Sequence, residues 1–328
     1  MIIVRFSSGL GNQMYQYNFY RMLKKRYPDT EVKVDLTWFY ANNDHYGYEL
    51  KRIFGQSSVS DFMVDEATKS EIFKVTGQIP PLVKGPLAKK VVFLEGPVNR
   101  ILREHSKNDK SQNHIDQLNG DISNYYEVNE AGKSINPLYE FVMNLDVSKD
   151  WYFTGFWIEE HYYKSRVLEL KREFIFPEIT DSENADIAAK MNETNSVSIH
   201  VRRGDYLSAT YSGMFKSLGE EYYKNAVSVI REKITSPHFF IFSDDAEYIS
   251  KAFEWLPDKT IVDVNRGKNS YKDMQLMTYC KHNIIANSTF SQWGAILNKN
   301  TGNITIYPAA YLADEDTEVK TLPGWTRV

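Results

Sequence analysis

The feature that most constrains this chain is the alternation of short apolar runs with helix-patterned segments through its second half. Residues 197–201, 239–242, 260–264, 283–286 and 304–307 read as strands, each bounded by polar or turn residues. Helical segments fall between them, over 220–233, 246–253, 271–280 and 290–297. In the first of these, Tyr223, Ala226, Val227 and Ile230 recur with the helical period and define one buried face. Repeated strand–helix units need crossover connections, and crossovers build a parallel sheet covered by helices. The expectation is a doubly wound α/β domain, with 304–307 closing its sheet. Ligands in such domains bind beyond the carboxyl ends of the strands.

The first half repeats the logic once. A strand over 2–6 runs into the turn Ser7-Ser8-Gly9-Leu10-Gly11-Asn12. A helix over about 13–26 follows and ends in Lys24-Lys25-Arg26, where cations suit a helix C-terminus. A second strand spans 31–36. From 77 to 133 the pattern weakens, and 105–121 is almost entirely polar; this stretch reads as an exposed excursion. Order returns with an aromatic strand over 151–157 and a helix over 159–172. With 328 residues the chain is long enough for two α/β domains. The hinge is expected near Phe176-Pro177, giving domains 1–175 and 176–328.

Composition narrows the possible partners. A net charge of −4 argues against nucleic acid, so an anionic ligand needs a local basic site. One cysteine, Cys280, excludes an internal disulfide and a thiolate zinc cluster. No apolar run approaches the length of a membrane span. The strand at 2–6 leaves no room for a signal peptide, so the expected location is cytoplasmic. Aromatic residues make up 14% of the chain, which tilts the reading slightly toward sugars, since aromatic faces stack on sugar C–H surfaces.

Five motifs fall at strand exits. On the strand 197–201, Ser198, His200 and Arg202 share one face by the two-residue period. Arg202 there can grip a phosphate with two parallel hydrogen bonds, and fixed positive charge stabilises a departing diphosphate. Equally, Arg202 and Arg203 fit a surface pair beside a core histidine, with Asp205 pairing Arg203. Gly9-Leu10-Gly11-Asn12-Gln13 starts like a dinucleotide fingerprint, but Met14 stands where the third glycine belongs, which disfavours NAD. What remains is a tight turn bringing the amides of Asn12 and Gln13 near a ligand, or a helix start capped by Asn12. In Ser243-Asp244-Asp245, Asp244 is expected to cap the next helix in a capping box with Glu247, leaving Asp245 open for a ribose or base. Asp273 can take two hydrogen bonds from a guanine edge, or can complete a capping box with Ser270. Asn287-Ser288-Thr289-Phe290-Ser291 offers more hydroxyls than a cap needs and forms a natural phosphate cradle.

Together these motifs resemble the α1,2-fucosyltransferase family, glycosyltransferase family 11. The carrying residues are Gly9 to Tyr17, Ser198 to Tyr206, Phe242 to Asp245, Asp273 to Met277 and Cys280 to Ser291, in family order. The resemblance implies a GT-B-like α/β fold, two facing Rossmann-like domains with parallel sheets and the donor held by the second. It implies inverting, metal-independent transfer of L-fucose from GDP-fucose, a co-substrate, with no cofactor. The expected acceptor is an oligosaccharide or polysaccharide, at the 2-hydroxyl of a terminal β-galactose. By the same resemblance Arg202 holds the β-phosphate, His200 and Asp273 contact the nucleoside, and Ser288 to Ser291 line the diphosphate. Asn12 lies near the transferred fucose. Arg203, Asp245 and Asn287 complete the donor-side candidates; Gln13, Asp35 and Trp157 are acceptor-side candidates. Asp205 and Asp35 are the candidates for general base. Gln292 departs from the pattern, standing where relatives usually carry a second tryptophan. Two other readings stay open: a metal-dependent glycosyltransferase using Asp244 and Asp245, and a nucleotide- or glycan-binding protein without catalysis.

Overall fold

A computed structural model describes the chain apart from residues 43, 58, 86, 89, 92–95, 102–112, 117–126, 129–133, 136, 205–217 and 310–320. The chain divides into two compact units. The first comprises Met1–Gly55 and Asp61–Arg166, the second Gln56–Ser60 and Val167–Val328. The hinge expected at 176–177 lies inside the second unit.

In the first unit, β1 (Ile2–Arg5) is flanked by β2 (Val32–Asp35) and β6 (Trp151–Thr154), with β3 (Asn113–Asp116) beyond β6. All three pairings are parallel, and the buried Ile2-Ile3-Val4 run is what a strand covered on both faces requires. β3 corrects one expectation. The polar stretch 105–121 was read as an exposed excursion, yet it supplies an edge strand, because an edge position needs backbone pairing more than apolar content. A short antiparallel ribbon, β4 (Glu127–Val128) with β5 (Ser134–Ile135), completes the strands described in this unit.

The helix Leu10–Arg26 connects β1 to β2 and is buried nearly all round. Its N-cap is Gly9, which makes no side-chain cap bond, so the helix starts earlier than the expected 13. Asn12 therefore does not cap it; the side chain sits in the first turn and donates to Ser8 Oγ at 3.0 Å. The cause is the turn itself: Ser8 takes a left-handed φ of 66°, which reverses the chain before Gly9. A β-carbon on Gly9 would come within 3.2 Å of the His45 ring. The helix's buried amides bond backbone. Gln13 Nε2 donates to Ser8 O and Gly47 O, both at 2.8 Å, and its Oε1 accepts from Glu49 N at 3.0 Å. Gln16 ties Ser7 to Gly155 O, and Asn18 donates to Tyr162 O.

In the second unit six parallel strands lie in the order β12-β11-β10-β7-β8-β9. They are β7 (Asn195–Val201), β8 (Pro237–Ser243), β9 (Lys259–Val262), β10 (His282–Ile284), β11 (Thr305–Tyr307) and β12 (Thr326–Arg327). β11 does not close the sheet as expected; β12 adds an edge beyond it. Read from β9, the order is that of a doubly wound dinucleotide-type domain, with its topological switch point between β7 and β10. Successive residues of β8 serve opposite cores. Phe239 and Ile241 pack with Val197, Ile199 and Val201 against Tyr223, Ala226, Val227 and Ile230 of the helix Glu220–Lys233. Phe240 and Phe242 pack with Leu276 and Met277 of the helix Tyr271–Tyr279. The helix Thr289–Ile296 lies so close to that helix that a β-carbon on Gly294 would come within 2.9 Å of Met277 Cβ.

Two stability outcomes follow. Gly294→Ala forces apart two packed helices at a rigid β-carbon, costing about 1–3 kcal/mol, against which alanine's better helix propensity returns about 0.5–1 kcal/mol. Urea unfolding is expected to show a net loss; an unchanged midpoint would mean the two helices give way freely. Gln13→Ala leaves three backbone groups without this partner, Glu49 N buried and Ser8 O and Gly47 O part-buried, and is expected to cost about 1–3 kcal/mol in the same measurement. A variant as stable as the parent would remove Gln13 from this structural role.

Candidate active site

The exits of β7, β8, β9 and β10 lie side by side along one edge of the second sheet, because all four strands run parallel. At the exit of β7, Arg202 Nη1 pairs with Asp244 Oδ2 at 2.8 Å, each side chain about a quarter exposed. Asp244 Oδ1 accepts from Arg203 N at 3.0 Å. A β-carbon at position 204 would lie 2.8 Å from Asp244 Oδ2, so a larger residue there would make the carboxylate shift. Arg203 points elsewhere: its Nε is 3.3 Å from Asp245 Oδ2 and its guanidinium lies 3.5 Å above the Tyr248 ring. The two arginines thus have separate counter-ions, and Arg202 is the one on the strand face shared with His200.

The cap after β8 differs from expectation. Asp245, not Asp244, caps the helix Ala246–Ala252, its Oδ1 accepting from Tyr248 N at 3.0 Å. Glu247 pairs with Lys251 and completes no capping box. The helix starts at Ala246, so the residue directly before it is Asp245, and Asp244 is left to the arginine turn.

His200 is 5% exposed, and its ring centroid lies 5.6 Å from that of Phe290, bridging the two sides of the switch point. Burial, reinforced by the Arg202 guanidinium, holds the imidazole pKa well below its ordinary value, so the ring is neutral near pH 7. Its Nδ1 is buried and has no hydrogen-bond partner among the described residues. A buried, unsatisfied polar atom calls for a physical explanation, and a ligand, an ion or an ordered water supplies one.

Across the switch point, Ser291 Oγ accepts from Ala286 N and donates to Ser288 O, both at 3.2 Å. Ser291 therefore closes the turn from within, 1% exposed. Asn287 and Ser288 are buried, Thr289 and Phe290 half-buried, and Ser288 makes no side-chain cap bond. Gln292 is buried and Trp293 packs edge-on against Phe174.

Asp273 lies in the first turn of Tyr271–Tyr279. It is not part of a capping box, since Ser270 makes no side-chain cap bond. Ser270 is already helical, at φ −57° and ψ −24°, whereas a capping residue needs an extended backbone. Asp273 Oδ1 instead accepts from Asn265 Nδ2 at 2.8 Å. Burial pushes its pKa up to about 7, opposed by the Asn265 hydrogen bond and the Arg266 charge.

The first-unit candidates are placed as follows. Asn12 stands in the glycine turn, and Gln13 is buried in its backbone clamp. Asp35 is buried, one oxygen accepting from Thr37 N at 2.7 Å and the other from Tyr152 Oη at 2.6 Å. Trp157 is not on a strand, as β6 ends at Thr154. The residue is fully buried, its ring stacked on Phe19 at 3.8 Å, with a left-handed φ of 58°. Asp205 lies outside the described residues. Sequence reasoning missed Asn265 and Tyr248. Asn265 follows β9 at a carboxyl end, the position that the topology marks; Tyr248 carried no local signal.

The family model of glycosyl transferase family 11 matches residues 1–328. An α-1,2-colitosyltransferase of Escherichia coli is 27% identical over 324 residues, covering 96% of this chain and 94% of the relative. The O-antigen biosynthesis glycosyltransferase WbnK of Escherichia coli is 24% identical over 331 residues, with 97% of each covered. Among solved structures, fucosyltransferase NodZ from Bradyrhizobium superposes with a TM-score of 0.47 at 14% identity, over 90% of this chain and 91% of that one. The motifs from the glycine turn to the serine-rich cradle are thus those of a known group, and the chain belongs to glycosyl transferase family 11.

Proposed function

We propose that this glycosyltransferase moves L-fucose from GDP-fucose to a sugar hydroxyl, with inversion and without a metal ion. The observation that carries the reading is Arg202 at the switch point of the second sheet, beside the unsatisfied Nδ1 of His200. In this reading the nucleotide lies along the exits of β7 and β10. The bond between the anomeric carbon and the β-phosphate oxygen breaks, and its electron pair goes to the diphosphate. Arg202 offsets that charge, and backbone N–H groups at the start of the helix Thr289–Ile296 add to it. The acceptor oxygen attacks the opposite face of the sugar and loses its proton to a base within hydrogen-bond reach. Asp205 and Asp35 are the candidates for that base. Neutral His200 can bond the nucleotide without adding a charge, and Asp273 can accept from guanine.

Independence of metal is supported by the separate engagement of the two aspartates. Asp244 is held by Arg202 and Arg203 N, while Asp245 caps a helix and pairs with Arg203. A divalent cation would have to break both ion pairs. No helix among the described residues is long and apolar enough to cross a membrane. The proposed acceptor is the 2-hydroxyl of a terminal β-galactose on an oligosaccharide or polysaccharide, in a cytoplasmic reaction. A second donor reading, colitose, is favoured by the 27% identity to the colitosyltransferase.

Turnover with GDP-fucose and GDP-colitose over a panel of galactosides, with linkage assigned by NMR, tests the reading. Tight GDP binding with no product from either donor would leave a binding protein. Arg202→Ala is expected to lower turnover roughly a hundredfold or more, through loss of about 2.7–4 kcal/mol of transition-state stabilisation. A folded variant with parental turnover would take Arg202 out of this role. Excess EDTA is expected to leave the rate unchanged; a loss restored by manganese would reverse the metal assignment.

A further inference from the structure

Behind Asp273 runs an unbroken chain of side-chain hydrogen bonds. Lys272 Nζ lies 2.7 Å from Asp181 Oδ2. Asp181 Oδ1 accepts from Asn184 N at 2.9 Å and from Asn184 Nδ2 at 2.8 Å. Asn184 and Asn265 are joined by two reciprocal amide bonds, each 2.9 Å. Asn265 Nδ2 then donates to Asp273 Oδ1 at 2.8 Å. Asn184 is 3% exposed and Asn265 4%.

The orientation of every group in this chain is forced. An ionised carboxylate only accepts, so Asp181 draws the amide nitrogen of Asn184 toward itself. With one N–H committed there, Asn184 has one N–H and its carbonyl left, and both meet Asn265. Asn265 then has one N–H left, and it goes to Asp273. Flipping either amide would set oxygen against oxygen at a carboxylate, at the full cost of a buried unmet acceptor. Asp273 Oδ2 takes no hydrogen bond among the described residues, so one oxygen is fixed from behind while the other is uncommitted. The chain also joins three otherwise separate pieces: the start of the helix Ser182–Glu193, the loop after β9 and the start of the helix Tyr271–Tyr279.

We infer that Asn265, aligned by Asn184 and Asp181, is a positioning residue that fixes the Asp273 carboxylate for recognition of the guanine edge. The inference rests on the reading of Asp273 as a nucleoside contact. Guanine offers the ring N1–H and an exocyclic amine to a carboxylate, and a bidentate match needs the carboxylate ionised and held in one plane. The other charged groups around Asp273 are Arg266, paired with Asp263, and Lys272, paired with Asp181. Those pairs remain when Asn265 is removed. The Asn265 N–H favours the ionised carboxylate, so its loss raises the Asp273 pKa. Guanine binding through that carboxylate is lost as pH falls through the pKa of the free site, and the loss therefore moves to higher pH in the variant.

The test compares binding of GDP and of IDP, which lacks the exocyclic amine, by calorimetry across pH 5.5–8.5 (about the range the site titrates) with the full chain. The parent is expected to prefer GDP. Asn265→Ala is expected to weaken GDP binding roughly tenfold, to narrow the preference over IDP, and to shift the pH midpoint upward. In turnover assays the loss falls on KM for the donor rather than on kcat. Asn184→Ala, one link further away, is expected to act in the same direction and more weakly, and it serves if Asn265→Ala does not fold. A folded variant that keeps the parental preference and pH midpoint overturns the positioning role and leaves the proposed function standing. A parent that does not distinguish GDP from IDP removes Asp273 from the guanine, and the inference with it, whatever Arg202→Ala does to turnover.

Discussion

Burial of β7 on both faces is the constraint from which the rest of the second unit follows. A strand with helices above and below has no solvent for its polar side chains, so each must be met by another group. Along the lower part of β7 this is done internally. Asn283 donates to Ser198 Oγ, and Lys281 N donates to Ser196 Oγ. His200 comes next on that face, where the internal partners end and the sheet opens toward its carboxyl edge. Its nitrogen, unsatisfied among the described residues, and the guanidinium two residues on stand together where β7 ends.

Charge at this edge is organised by geometry more than by number. The chain is acidic overall, yet the β7 exit carries two adjacent arginines. One is folded down on a tyrosine face and a capping aspartate, which spreads its charge over the protein. The other pairs with the Asp244 carboxylate, which closes to within 2.8 Å of where a β-carbon on residue 204 would stand. The ion pair fixes the Arg202 guanidinium in position, which is what preorganised electrostatic stabilisation requires of a cation. The neutral state of His200 follows first from its burial and then from the Arg202 charge beside it.

Much of this was legible in the sequence. Strand–helix alternation gave the parallel class, and the apolar positions of Glu220–Lys233 were read correctly because a strong helical period leaves little choice of buried face. The failures have specific causes. Asp245, not Asp244, is the cap because the cap is the residue directly before a helix that starts at Ala246, and Asp244 is drawn instead to Arg202 and Arg203 N by contacts 41 or more positions apart. Ser270 was taken for a cap because its spacing to Asp273 is right, but a preceding helical turn gives it the wrong backbone. The aromatic strand expected over 151–157 ends at Thr154, and the Trp157 ring stacks on Phe19 in the core. β3 was invisible because paired edge strands require no apolar pattern. The Asn184–Asn265 pair was beyond reach, since asparagines 81 positions apart carry no mutual signal in a single sequence.

The Arg202–Asp244 pair has a consequence for what the pocket turns away. An incoming anion must displace or share a carboxylate already in place, so a chloride or acetate ion gains little by exchanging one negative charge for another. A pyrophosphate ester brings more charge and several acceptor oxygens on one rigid frame, and it can outbid the resident group where a monovalent ion cannot. The intramolecular ion pair thus leaves the partly exposed guanidinium less attractive to monovalent anions than an unpaired arginine would be.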